Sequence, residues 1–111
     1  MDASFKNETL AFFETIAKYY GSKTEISSGI TTHLDAVSQQ STWLLSEFTL
    51  IQSAYRNEGN KFMLEGKKTY FEISAIHLIG FEQKGRHQFE FIEQYAPNVY
   101  RITKIRFLYK Y

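Results

Sequence analysis

His33 and Asp35 stand two residues apart, so on a strand they would share one face. A carboxylate beside an imidazole can orient it and let it act as a base near neutral pH. The plainer reading is a solvent-facing strand end with a surface carboxylate. His77 shares strand parity with Ile73, Ala75, Ile79 and Phe81. There an imidazole can line a pocket and serve as a general acid. The plainer reading is a neutral core histidine with one hydrogen bond. His87 lies just past Gly85 and is expected to be exposed. The three histidines lack HxH or HxxxH spacing, so no metal site is expected.

Aromatic residues form the second group. Trp43, Phe71, Ile73, Phe89 and Tyr95 are the expected lining of an apolar pocket, and Tyr70, Tyr100, Tyr109 and Tyr111 could add hydroxyls. The same residues could instead fill a small core or a dimer face. Glu47, Glu72, Glu90 and Glu93 read as strand carboxylates, solvated partners of neighbouring Lys and Arg. In a dry pocket one of them could become a base.

These side chains need strands to hold them. The stretch from Gly66 to Tyr95 reads as a long strand, a tight turn at Lys84-Gly85 and a returning strand. Phe71, Ile73, Ala75, His77, Ile79 and Phe81 fall on one face of the first, and His87, Phe89 and Phe91 share a face of the second. Residues 4–20 read as an amphipathic helix. Leu10, Phe13, Ala17 and Tyr20 form its stripe, Phe12, Ile16 and Tyr19 widen it, and Gly21 ends it. Residues 22–40 read as a polar connection followed by a strand at about Ile30 to Val37. Residues 42–56 fit both helix and strand periodicity, and their Thr, Trp, Phe and Ile content favours strand. Asn57 to Asn60 is a turn, Phe62 to Leu64 begins a strand, Ala96-Pro97-Asn98 turns, and Val99 to Tyr111 is the last strand.

With 111 residues, 43% of them hydrophobic, the chain fits one α+β domain with a real core. A net charge of +1 argues against nucleic-acid and anionic-membrane partners. Cysteine is absent, which excludes disulfides and thiolate chemistry. Nucleotide loops and nucleophile elbows are missing, and no cofactor is implied. The N-terminus lacks the pattern of a signal peptide and no apolar run is long enough to span a membrane, so a cytoplasmic protein is expected.

Two stretches resemble the NTF2-like superfamily, in its SnoaL-like (polyketide-cyclase-type) branch. THLDAVSQQSTWLLSEFTLIQSAYRNEG resembles the His-led strand, turn and long strand of that family. GKKTYFEISAIHLIGFEQKGRHQFEFIEQY resembles its hairpin. Two features depart from the pattern: residues 22–30 are too short for two further helices, and Asn98 stands nearest where the family often has an Asp. The resemblance implies a helix on a curved antiparallel sheet, an NTF2-like (cystatin-like) cone. It also implies a single domain over 1–111, an apolar or aromatic small-molecule ligand and a homodimer through the sheet, with catalysis left open. His33, Asp35 and His77 would be the catalytic residues of an isomerase-like enzyme. The alternative is a non-catalytic interaction module.

Overall fold

The computed structural model describes residues 3–32, 34, 42–56 and 58–108. Helix α1 spans Ala3–Thr15, and a 3-10 turn, Ile16–Tyr19, extends it. Thr9, Phe12, Ile16 and Tyr19 are buried, whereas Ala17 and Tyr20 of the other expected stripe are exposed. The helix buries the 12/16/19 stripe against the five-stranded sheet, and Phe13 beside it reaches the three-stranded one. Phe12 lies 4.4 Å from Phe89, Phe13 stacks on Phe62 at 4.8 Å, and Tyr19 stacks on Phe107 at 3.9 Å between centroids. Gly21 ends the helix at φ 91°, a conformation that glycine adopts without strain.

Eight strands follow among the described residues: β1 Lys23–Thr31, β2 Thr42–Thr49, β3 Gln52–Arg56, β4 Lys61–Glu65, β5 Tyr70–Ser74, β6 Leu78–Gly85, β7 Gln88–Ala96 and β8 Val99–Leu108. They form a five-stranded sheet in the order β2-β1-β8-β7-β6 and a three-stranded sheet β3-β4-β5. Every pairing is antiparallel. The architecture is therefore α+β, with one N-terminal helix on antiparallel sheet.

Two chain segments belong to both sheets. Residues 42–56 leave β2 and enter β3 at Leu50 and Ile51, and residues 70–85 pass from β5 to β6 through a 3-10 turn, Ala75–His77. Followed along these segments, the neighbour order returns to its start: β1, β2/β3, β4, β5/β6, β7, β8 and again β1. The result is barrel-like, with α1 packed into one end.

The first crossing is closed by backbone. The Gly21 N–H donates to the Leu50 carbonyl, the Leu50 N–H to Ser22 and the Ile51 N–H to Glu65. Gly66 lies so close to β2 that a Cβ there would stand 2.6 Å from the Phe48 ring and 2.9 Å from the Thr49 carbonyl oxygen. The interior is filled largely by its own rings and aliphatics, among them Phe12, Phe62, Phe91, Phe107, Leu64 and Ile73.

Three expectations shift. The first strand runs over 23–31, where the inward residues Thr24, Ile26 and Ser28 are mostly polar and give no apolar alternation; of the strand expected at 30–37, residues 33 and 35–37 lie outside the described residues. Residues 42–56 are strand, as composition suggested, broken after Thr49. The long strand expected from Gly66 is interrupted at residues 75–77, and the hairpin turns at Arg86-His87, with Gly85 opposite Gln88. The 3-10 turn breaks the assumed parity: Ala75 is buried, Ile76 exposed and His77 half-buried.

Candidate functional site

The candidate site is built from the finish of β1 and β7, the start of β2, β4 and β8, and the length of β5. On the inner face of β7, Phe89 and Phe91 are followed two residues on by Glu93. Glu93 is fully buried. Register places it opposite Arg101 on β8, where the turn at Pro97-Asn98 returns the chain. Arg101 Nε donates to Glu93 Oε1 at 2.7 Å. The Ser74 N–H donates to Glu93 Oε2 at 2.8 Å, and the Tyr95 hydroxyl donates to the same oxygen. Arg101 Nη2 donates to the Glu72 carbonyl at 2.5 Å.

These bonds explain the seam between β5 and β7. The two strands do not pair, and the side chains of Glu93 and Arg101 take the β5 backbone groups that a ladder would otherwise satisfy. Three donors on one carboxylate also hold a buried charge that would be costly alone.

Two clefts open above this ion pair. One, of about 370 Å³, is lined by residues that include Lys61, Tyr70, Glu72, Ser74 and Tyr95. The other, of about 290 Å³, includes Ser28, Ile30, Thr42 and Trp43. They meet at Leu44, Phe71 and Arg101, which line both. The Arg101 guanidinium lies 5.0 Å from the centre of the Phe71 ring. At the rim the Tyr70 hydroxyl donates to Glu72 at 2.6 Å, and Lys61 Nζ stands 3.9 Å from the same carboxylate. Burial pushes the Tyr95 phenol well above the usual tyrosine range, and its hydrogen bond to Glu93 and the Glu93 charge push it further; Arg101 opposes them. The hydrogen bond to Glu72 raises the Tyr70 phenol.

The expected site residues separate. His33 and Asp35 lie outside the described residues. His77 sits at the end of the 3-10 turn, shares a 2.8 Å hydrogen bond with Ser74 Oγ, and stacks on Tyr95 at 4.3 Å between centroids. Trp43, Phe71 and Tyr95 line the mouth, whereas Ile73 is completely buried in the core. Phe89 is also buried, in the cluster around Phe12. Tyr109 and Tyr111 lie outside the described residues. His87 is half-buried rather than exposed: its Nδ1 is 2.9 Å from the Tyr19 hydroxyl.

Glu93 is buried rather than the solvated carboxylate expected, and Arg101, not among the expected site residues, is its partner. The signal was present. Continuing the Phe89–Phe91 parity by two residues reaches Glu93, and counting back across the Pro97 turn reaches Arg101. Glu93 is fully buried and accepts from three protein donors, a structural arrangement that keeps it from a substrate proton.

A hollow of about 490 Å³ lies on the outer face of β1, β8 and β7. Four of its charges pair, Arg106 with Glu25 at 2.6 Å and Lys84 with Glu90 at 3.8 Å, and Lys104 lies 5.4 Å from the centre of the Trp43 ring. Among the described residues, no group of His, Asp and Glu could hold a metal, and no helix is long and apolar enough to cross a membrane. No known protein family, curated protein or solved structure matches the chain.

Proposed function

We propose that the domain binds a small, largely apolar or aromatic molecule at the mouth of the barrel, with catalysis left open. One observation carries this reading: two clefts converge on Leu44, Phe71 and Arg101, so aliphatic and aromatic side chains stand beside a few charged and polar ones. That combination is usual for ligand sites. Because the interior is packed with aromatic side chains, the ligand sits in the mouth rather than deep in a cone.

Native mass spectrometry of protein taken straight from the expression host tests it. A small-molecule adduct is expected on the wild type and not on Leu44→Arg, which blocks the mouth from an exposed position. The single tryptophan, Trp43, lines the mouth and reports binding by fluorescence. An adduct-free protein whose Trp43 emission ignores a panel of aromatic compounds would remove the reading.

A second reading is a homodimer or interaction module that uses β2. Leu44 is 65% and Leu45 72% exposed, and they point to opposite faces of a strand that ends its sheet. The NTF2-like, SnoaL-like assignment is a third proposal. The helix followed by long antiparallel hairpins supports it, and the neighbour order that returns to β1 weighs against it. The isomerase-like alternative depends on His33 and Asp35 reaching His77, and both lie outside the described residues.

A further inference from the structure

Resting on the mouth as the binding site, the hydrogen-bonding inventory identifies which end of a ligand the floor would accept. Both carboxylates there have donors. Glu93 takes Arg101 Nε, the Ser74 N–H and the Tyr95 hydroxyl; Glu72 takes the Tyr70 hydroxyl and faces Lys61. The cations are less fully used. Arg101 gives Nε to Glu93 and Nη2 to the Glu72 carbonyl, so Nη1 is the arm left for an acceptor. Lys61 Nζ stands 3.9 Å from Glu72, beyond ordinary hydrogen-bond length, and its ammonium has three protons to give. Two cationic donors with capacity to spare, Arg101 Nη1 and Lys61 Nζ, therefore stand in the mouth beside Phe71, Tyr70 and Tyr95.

We propose that the mouth is selective for an aromatic carboxylate: the ring lies against Phe71 and the tyrosines, and the carboxylate is met by Arg101 Nη1 and Lys61 Nζ. A charge-assisted bond of this kind is stronger than one to a neutral carbonyl. An amine would face two cations, with Glu93 buried under three donors and Glu72 already accepting from Tyr70.

Calorimetric titration with 2-naphthoate, 2-naphthamide and 2-naphthylmethylamine tests the proposal, since the three share one ring system. The acid is expected to bind about tenfold more tightly than the amide, with the amine weakest. Lys61→Met changes a side chain at the edge of the cleft and leaves the Glu93–Arg101 pair in place. It is expected to weaken the acid several-fold and leave the amide unchanged. Equal binding of acid and amide, or preference for the amine, overturns carboxylate selectivity while the mouth stays a binding site. If none of the three binds, the proposal also fails, and the adduct experiment with Leu44→Arg then decides separately whether the mouth binds anything.

Discussion

Glu93 and Arg101 replace a stretch of backbone ladder with two side chains. Removing the charge while keeping the shape should therefore cost more than a surface ion pair would. Glu93→Gln leaves a partly buried guanidinium without its counter-charge and is expected to lower the unfolding free energy by about 3 kcal/mol. Urea denaturation measures it, and a loss below about 1 kcal/mol would show that the seam does not need the pair. Tyr95 gives the same corner a pH signature. Its phenol ionises above the usual range in the folded chain, so the neutral form is favoured by folding. That contribution is fully present below about pH 10, where an unfolded tyrosine keeps its proton, and is lost as pH rises beyond it. Tyr95→Phe has no proton to lose. Denaturation midpoints compared from pH 8 to pH 11 should fall less steeply for the variant than for the wild type.

Elements differ in how openly the sequence announced them. The helix, the strand character of 42–56, the glycine turn at Gly59 and the last strand follow from composition and turn chemistry. β1 did not, because Thr24 and Ser28 face inward where apolar residues are the usual signal; Ser28 meets Thr103 at 3.3 Å inside the barrel. The break at residues 75–77 has no glycine or proline to mark it. It exists because the chain must leave one sheet for the other, and the Ala75 N–H finds the Asn60 carbonyl at 2.8 Å. Spacing between strands offers a test at this scale. A Cβ on Gly29 would stand 2.5 Å from the Thr42 carbonyl oxygen and 2.8 Å from the Trp43 ring, while one on Gly80 would meet Ile92 at an ordinary 3.5 Å. Gly29→Ala is expected to destabilise the fold by about 2 kcal/mol and to shift Trp43 emission, with Gly80→Ala near neutral. Thermal unfolding followed by fluorescence distinguishes them.

At the scale of the whole molecule, the α+β class was legible and the closure was not. Neither the β1–β8 pairing nor the sharing of two strands between sheets has a local sequence signal. The candidate site suffered for the same reason: Trp43, Phe71 and Tyr95 reach the mouth, but Ile73 and Phe89 share strand parity with its residues and lie deeper, in the core. The ends of the two sheets are not equally covered. α1 packs against β6 and β3, and the Glu93–Arg101 side chains cover β5, whereas β2 leaves Trp43, Leu44 and Leu45 exposed, with Glu47 as its single charge. If β2 is an interface, light scattering across a concentration series should show a dimer that Leu45→Lys returns to monomer. A wild-type monomer at high concentration would end that reading.

The pairing that closes the barrel sets a timetable for the growing chain. β1 binds β8 in a register that joins residue 26 to residue 105. During synthesis, β1 leaves the ribosome early, yet one of its edges has no ladder until nearly all of the described chain has followed. Contacts of such long range form late. The inward threonine and serine of β1 suit that delay, because a strand that must wait in water with an open edge aggregates less readily when its buried face is mostly polar.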